Sequence, residues 1–319
     1  MSPAPFLLDC DTGIDDALAI AYLLADPAAE LVAVTSVFGN TRVEQAAANN
    51  LAVLELAGRG DIPVAVGASH PLAREFRGGA AHVHGDNGIG GVQLPVARAT
   101  AVDEPAPEMI VRLAREHGGE LHLVATGPLT NLALALQLEP ALPGLVAGLT
   151  IMGGAAITPG NSTPVGEANI VNDPEAAQAV LTAGWSDLTL VPLDVTMEHR
   201  LTEIDQHRLV DSGQPLAIAL GQMVQSYLDF YTSVFGVREC ALHDPLAAAI
   251  ATGSVATAIA PTVPVQVDVT DGPGRGQTIC DLRGRFRGYP PLPEANCRVV
   301  LALTEPFAPQ LMNRILTRP

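Results

Sequence analysis

The chain reads as an α/β protein with a doubly wound, mostly parallel central sheet and additional C-terminal helices and strands. Three observations predict this. Short apolar runs alternate with helix-length ones through roughly the first two-thirds of the sequence, the pattern of parallel strands and crossover helices. Hydrophobic residues make up 48% of the 319 residues and charged residues only 16%, which suits a large buried core. Polar clusters recur where the predicted strands end, the edge at which open α/β sheets bind their ligands.

The elements follow in order. Pro5-Phe6-Leu7-Leu8 reads as a buried strand and residues 17–24 as a helix. Residues 31–37 form a β-branched strand, 44–57 an alanine-rich helix and 63–66 a short strand. Residues 67–101, rich in glycine and histidine and without clear periodicity, read as loops. Helices at 107–116, 129–138 and 174–183 then alternate with strands at 121–125, 149–152 and 188–193. Beyond Met197 the pattern changes to helices at 203–210, 215–235 and 245–252, followed by strand-like runs at 263–269 and 298–303. Residues 272–276 and 284–293 are turn-rich connectors. With no low-complexity linker and no internal repeat, one continuous domain over residues 1–319 is expected.

Composition excludes several function classes. A formal net charge of −17 leaves no room for a nucleic-acid-binding patch. The chain has no lysine, which removes Schiff-base chemistry, pyridoxal phosphate and a Walker A phosphate loop. Cys10, Cys240, Cys280 and Cys297 form no CxxC pattern and read as free thiols of a reducing compartment. No signal peptide and no bilayer-length apolar run is apparent, so a cytoplasmic location without membrane attachment is expected.

The stretch around which the rest is arranged is Asp9-Cys10-Asp11-Thr12-Gly13-Ile14-Asp15-Asp16. It lies on the turn between the first strand and the first helix. Asp15 and Asp16 would favour the positive N-terminus of that helix. Asp9 and Asp11 have no such explanation, and crowded carboxylates are costly without a partner. A hard divalent cation is the simplest compensation. Further polar clusters fall at later strand ends: Asn40, then Thr126-Gly127-Pro128-Leu129-Thr130-Asn131, then Met152-Gly153-Gly154, then the run from Gly160 to Asn169, and finally His243-Asp244-Pro245. Singly, each has a structural reading as a turn residue or helix cap. Together they point to one site.

In this order and spacing the motifs resemble the calcium-dependent nucleoside hydrolases of the inosine-uridine preferring type, and the resemblance runs over nearly the whole chain. It includes the acidic turn, His84-Gly85-Asp86-Asn87-Gly88, Ala125 to Asn131, Ile151 to Gly154, Asn161 to Asn169 with Asp173-Pro174-Glu175, and His243-Asp244-Pro245. The resemblance implies a calcium ion (Ca2+) held by Asp11, Asp16, the Thr126 backbone carbonyl and Asp244, together with a water and the ribose 2′- and 3′-hydroxyls. Asp11 would be the general base. Asp15, Asn40 and Asn169 would bind the ribose diol side, Asn161 and Glu167 the 5′-hydroxyl, and Met152 the sugar. His243 would stand near the leaving base as its acid, with His84 also approaching the base. A small-molecule ribonucleoside would be the substrate, and a homodimer or homotetramer the working form.

The chemistry is consistent with that assignment. Cleaving an N-ribosidic bond builds oxocarbenium-like charge, which a carboxylate-rich site stabilises. A grip on both ribose hydroxyls predicts selectivity against 2′-deoxyribosides. Tyr227, Tyr231 and Phe235, at four-residue spacing, share a helix face, either as core or with Tyr231 lining the base pocket. Trp185 reads as structural. Two departures stand out: Ala168 where many relatives carry phenylalanine, which removes an aromatic wall, and Thr12 in place of a common proline. An aspartate-nucleophile phosphatase would need threonine or valine at Gly13 and a later lysine. An EF-hand would need an oxygen ligand at Gly13 and glutamate at Ile20. The remaining rival is a non-catalytic, calcium-stabilised riboside-binding protein, distinguished by whether base is released from inosine and uridine.

Overall fold

A computed structural model of the chain describes residues 3–317. The first half supplies five of the eight strands of the central sheet and the helices between them: β1 (Ala4–Cys10), α1 (Ile14–Ala25), β2 (Ala29–Ser36), α2 (Val43–Leu56), β3 (Val64–Val66), α3 (Ala81–His84), α4 (Ala106–Glu116), β4 (His122–Ala125), α5 (Thr130–Leu138) and β5 (Gly148–Met152). There follow α6 (Ala168–Asn172), α7 (Pro174–Leu181), β6 (Leu188–Val191), α8 (Leu193–Thr196), β7 (Arg200–Thr202), α9 (Glu203–Val210), α10 (Pro215–Phe235), β8 (Glu239–Ala241) and α11 (Asp244–Ala251). The chain ends with β9 (Thr257–Ile259), β10 (Thr262–Val263), β11 (Val265–Val267), β12 (Thr278–Cys280), β13 (Cys297–Val299), β14 (Ala302–Leu303) and α12 (Ala308–Leu316).

Eight strands form the central sheet in the order β10-β13-β6-β5-β4-β1-β2-β3, all parallel except the β10–β13 edge. From β1 the chain winds outward one way through β2 and β3. From β4 it winds the other way through β5 and β6. The reversal opens a crevice between the carboxyl ends of β1 and β4, the switch point at which such sheets bind ligands. Alternate residues of β1 feed two cores: Phe6, Leu8 and Cys10 join α1, α10, α11 and α12, while Leu7 joins α4, α5 and α7. Covered on both faces, β1 is apolar throughout its centre, as parallel strands are. Trp185 belongs to the second core and donates its indole N–H to Val180 O at 2.7 Å. No described helix is long and apolar enough to cross a membrane.

The doubly wound reading holds, with local corrections. The first helix begins at Ile14 rather than residue 17, because the Asp16 carboxylate reaches back to the Gly13 N–H at 2.7 Å and caps the first turn. The sixth strand stops at Val191, and Pro192 leads into α8. The run 263–269 is divided by Pro264, which lacks an N–H for the ladder. Its halves, β10 and β11, join different sheets. The run 298–303 divides likewise into β13 and β14. The expected loops of 67–101 contain the one-turn α3. Helix α6 was not legible, because its N-cap is Glu167, an unusual capping residue whose carboxylate accepts from the Asn169 and Ile170 N–H groups.

Buried Asp173 ties three segments together behind the switch point. It accepts from Ala176 N at 3.1 Å, Leu72 N at 2.9 Å and Thr130 Oγ1 at 2.7 Å. Asp173→Ala leaves these donors unpaired and should cost about 2–4 kcal/mol in urea denaturation. A loss below about 1 kcal/mol would refute that role.

Candidate active site

The carboxyl end of β1 delivers the acids to the crevice. Asp9, Asp11, Asp15, Asp16 and, from the start of α11, Asp244 are all at most 5% exposed. Asp11 is clamped by Asn40, whose backbone N–H donates to Oδ2 at 2.7 Å and whose Nδ2 donates to Oδ1 at 3.1 Å. Room for this carboxylate exists because residue 39 is glycine: a Cβ there would lie 1.9 Å from Asp11 Oδ2. Asp16 accepts from Thr126 Oγ1 at 2.7 Å, from Gly13 N at 2.7 Å and from Asn40 Nδ2 at 3.3 Å. Asp15 accepts from Tyr227 OH at 2.9 Å through Oδ2, while its buried Oδ1 has no partner. Asp15, Asp16 and Asp244 each present an oxygen within 4.8 Å of the others, and these three could hold a metal ion. Asp11 stands beside that trio, sharing the Asn40 amide with Asp16. Asp9 lies behind, its Oδ1 bonded to Thr35 and Asn131 at 2.7 Å each and its Oδ2 without a partner.

Among the described residues no arginine pairs with any of these acids. The nearest basic nitrogen is His84 Nδ1, 4.0 Å from Asp15 Oδ1, and burial keeps that imidazole uncharged near pH 7. Burial is the main reason their protons are held tightly. It pushes Asp15 and Asp16 up to about 6 and Asp9 to about 7. Asp11 and Asp244 are driven well above the carboxylate range, by burial first and then by the negative charge of Asp16 on Asp11 and of Asp15 on Asp244. The cluster is short of positive charge.

A second group lies across the crevice. Asn169 Nδ2 donates to Thr126 O at 2.9 Å and to Met152 O at 3.1 Å, with Met152 Sδ at 3.5 Å. Glu167 Oε1 accepts from Asn169 N at 2.9 Å, and Oε2 from Gly154 N at 2.8 Å. Asn161 is exposed on the rim, its Oδ1 accepting from Ala168 N at 3.0 Å, and none of its hydrogen bonds reaches the carboxylates. Ala168 itself is half-buried.

The third group is aromatic. Tyr227 and Tyr231 come from one face of α10. Tyr231 OH lies 2.5 Å from His243 Nε2, and His243 Nδ1 lies 2.7 Å from Thr196 Oγ1. Phe235 stacks on Tyr231 with ring centres 5.2 Å apart, under the Arg200 guanidinium. The His84 ring lies 5.5 Å from Tyr227, and its Nδ1 accepts from Ile14 N at 3.2 Å. Burial lowers His84 to about 4 and His243 to about 3, so both imidazoles are neutral near pH 7.

Asp11, Asp15, Asp16, Thr126, Asn40, Met152, Glu167, Asn169, His84, Tyr231, His243 and Asp244 thus gather at one crevice, with Asn161 at its edge. Sequence reasoning missed Tyr227 as a partner of Asp15, although it shares a helix face with Tyr231. It also missed Thr196, which carries no signal, and Asn49 and Asn50, whose adjacent amides in an alanine-rich helix were a usable one.

Comparison with known proteins places this arrangement. Residues 6–307 match the family model described as inosine-uridine preferring nucleoside hydrolase. The chain is 37% identical over 316 residues to the inosine-uridine preferring nucleoside hydrolase of Leishmania major, spanning 96% of this chain and 94% of that protein. It is 37% identical over 279 residues to a probable uridine nucleosidase 2 of Arabidopsis thaliana, spanning 87% and 83%. The solved purine-preferring ribonucleoside hydrolase from Gardnerella vaginalis superposes with a TM-score of 0.89 at 34% identity, covering 98% of this chain and 97% of that one. With its switch-point carboxylates and the match along nearly its whole length, this chain belongs to the inosine-uridine preferring nucleoside hydrolase family.

Proposed function

We propose that the chain hydrolyses the N-ribosidic bond of ribonucleosides to ribose and free base, with Asp11 as general base and calcium held by Asp11, Asp16, the Thr126 carbonyl and Asp244. One observation carries the reading: buried carboxylates converge at the ends of β1 and β4 and, among the described residues, no cationic side chain pairs with them. The donor set is all oxygen, which suits a hard divalent ion. Asp15 Oδ1, buried and unpartnered, is the orphan that a cation or a ribose hydroxyl would satisfy. Calcium, when bound, offsets the acids' repulsion, orients a diol and makes a water easier to deprotonate.

The protein's own groups supply the rest. Two donations from Asn40 fix the Asp11 carboxylate before substrate arrives. Asp15, Asn40 and Asn169 are assigned to the ribose hydroxyls, and Met152 to the sugar face. Asn161 and Glu167 are assigned to the 5′-hydroxyl; Glu167 Oε1 accepts a single N–H and keeps a lone pair for it. As the bond breaks, positive charge grows on the sugar inside a carboxylate-lined, water-poor pocket, where it is stabilised most. Neutral His243 carries one N–H, and the Tyr231 hydroxyl beside it is a second donor for the departing base. His84 faces the base from the opposite segment. Similar proteins are named for uridine, for inosine and uridine, and for purines. The shared requirement is therefore the ribose end. Free thiols at all four cysteines suit a reducing, cytoplasmic setting.

Base release from inosine and uridine, with and without a calcium chelator, tests the reading, and wild-type turnover in chelator would sink the metal assignment. Asp11→Ala and Asp244→Ala are each expected to lower kcat/KM roughly a thousandfold or more. His243→Ala should impair the poorest leaving bases most. Gly13→Ala would put a Cβ 2.6 Å from His84 Nδ1 and 2.7 Å from Asn40 Nδ2. It should cost about 10–100-fold in kcat/KM with little change in melting temperature, and an unaltered rate would remove His84 and Asn40 from the site.

Proton linkage gives a further expectation. Asp15 and Asp16 sit at about 6 and Asp9 at about 7 in the folded state, against an ordinary 3.8. A carboxyl raised on folding contributes stability that is fully present below its unfolded pKa and lost as pH rises through its folded one. Metal-free protein should therefore melt lower at pH 8 than at pH 5, and added calcium should raise the melting temperature more at pH 8. Equal calcium shifts at both pH values would contradict this.

A further inference from the structure

Helix α2 carries two consecutive asparagines on its inner side, Asn49 and Asn50, both buried. Buried amides are costly unless their donors and acceptors are met. Here they are met by the acidic turn. Asn50 Oδ1 accepts from Thr12 Oγ1, and its Nδ2 donates to Ser36 Oγ at 3.0 Å. Asn49 makes the longer connection. Its Nδ2 donates to the Thr12 carbonyl at 3.1 Å and to the Asn87 carbonyl at 2.9 Å, while its Oδ1 accepts from Gln45 Nε2 at 2.9 Å. Carbonyl oxygens only accept, so this network permits one orientation of the Asn49 amide. Gly88, at φ 79°, packs directly on the junction: a Cβ there would lie 3.1 Å from both Asn49 Nδ2 and Thr12 O.

One amide thus joins the turn that bears Asp11, Asp15 and Asp16 to the segment that follows His84. That segment is internally braced, with Gly90 N donating to His84 O at 2.7 Å and Gly91 N to Asn87 Oδ1 at 2.8 Å. Moving Asn87 therefore moves His84. Besides packing against Gly13, the imidazole is held toward the turn by one hydrogen bond, from Ile14 N at 3.2 Å. We infer that Asn49 is a positioning residue of this hydrolase: by holding Asn87 against Thr12, it sets the placement of His84 relative to the carboxylates. It acts through His84 and touches neither metal nor substrate, and the inference rests on the reading given under Proposed function.

The test uses the full chain with calcium, measuring kcat and KM on inosine and uridine for Asn49→Ala, Asn49→Asp and Gln45→Ala. Each is made in the wild-type and in the His84→Ala background. Asn49→Asp keeps the shape but puts an acceptor against two carbonyls. Gln45→Ala frees the amide to turn at a half-exposed helix position that favours alanine, so it remains informative where the Asn49 variants do not fold. The Asn49 variants are expected to lose about 10–100-fold in kcat/KM, and Gln45→Ala a smaller amount in the same direction. In the His84→Ala background these losses should fall to about threefold or less, as coupled sites require. Calcium affinity should be unchanged, and the His84 ring resonances should shift in Asn49→Ala without substrate. Equal losses in both backgrounds, or wild-type rates in the Asn49 variants, overturn the inference while leaving the hydrolase reading intact. A wild-type protein that releases no base overturns both.

Discussion

Mutual repulsion among desolvated carboxylates is the constraint on which the rest of this molecule depends. Five acids meet where water is excluded, and among the described residues no arginine pairs with them. Left to themselves, such groups would take up protons or push apart. The scaffold holds them regardless, because Asp11, Asp16, Asp15 and Asp9 are gripped by donors on separate elements: Asn40 after β2, Thr126 after β4, Tyr227 on α10 and Asn131 on α5. That pre-arrangement is unfavourable for the empty fold and favourable for a cation, and then for a sugar acquiring positive charge.

The two ends of the crevice are built differently. The carboxylate end, which we assign to the ribose, is polar and set by the sheet, with close approaches that only glycine at positions 39 and 127 permits. The other end, which we assign to the base, is lined by aromatic rings on α10 and by two imidazoles kept neutral through burial. The first end stands on strand ends of one hydrogen-bonded sheet, whereas the second is carried by α10, α3 and the segment after it, which lie outside that sheet.

Much of this was legible from the residues. Alternation of strand and helix disclosed the doubly wound sheet, since parallel strands need crossover connections. Acids at 9, 11, 15 and 16, amides at 40 and 169 and the His243-Asp244 pair disclosed the site, because no core has a use for so many polar groups at strand ends. The failures have physical causes. Pro264 split a strand whose apolar pattern looked continuous. Glu167 capped a helix that ordinary capping rules do not announce. Thr196 and Asn49 act through partners distant in sequence, and single-chain periodicity carries no record of such pairings.

Asp244 opens α11, which packs along α1 late in the chain. Synthesis proceeds from the other end, so the acidic turn leaves the ribosome long before its last carboxylate exists. The cluster is therefore complete only when α11 has docked on α1, and a chain that stops short of this helix would carry the recognisable motif without its last carboxylate.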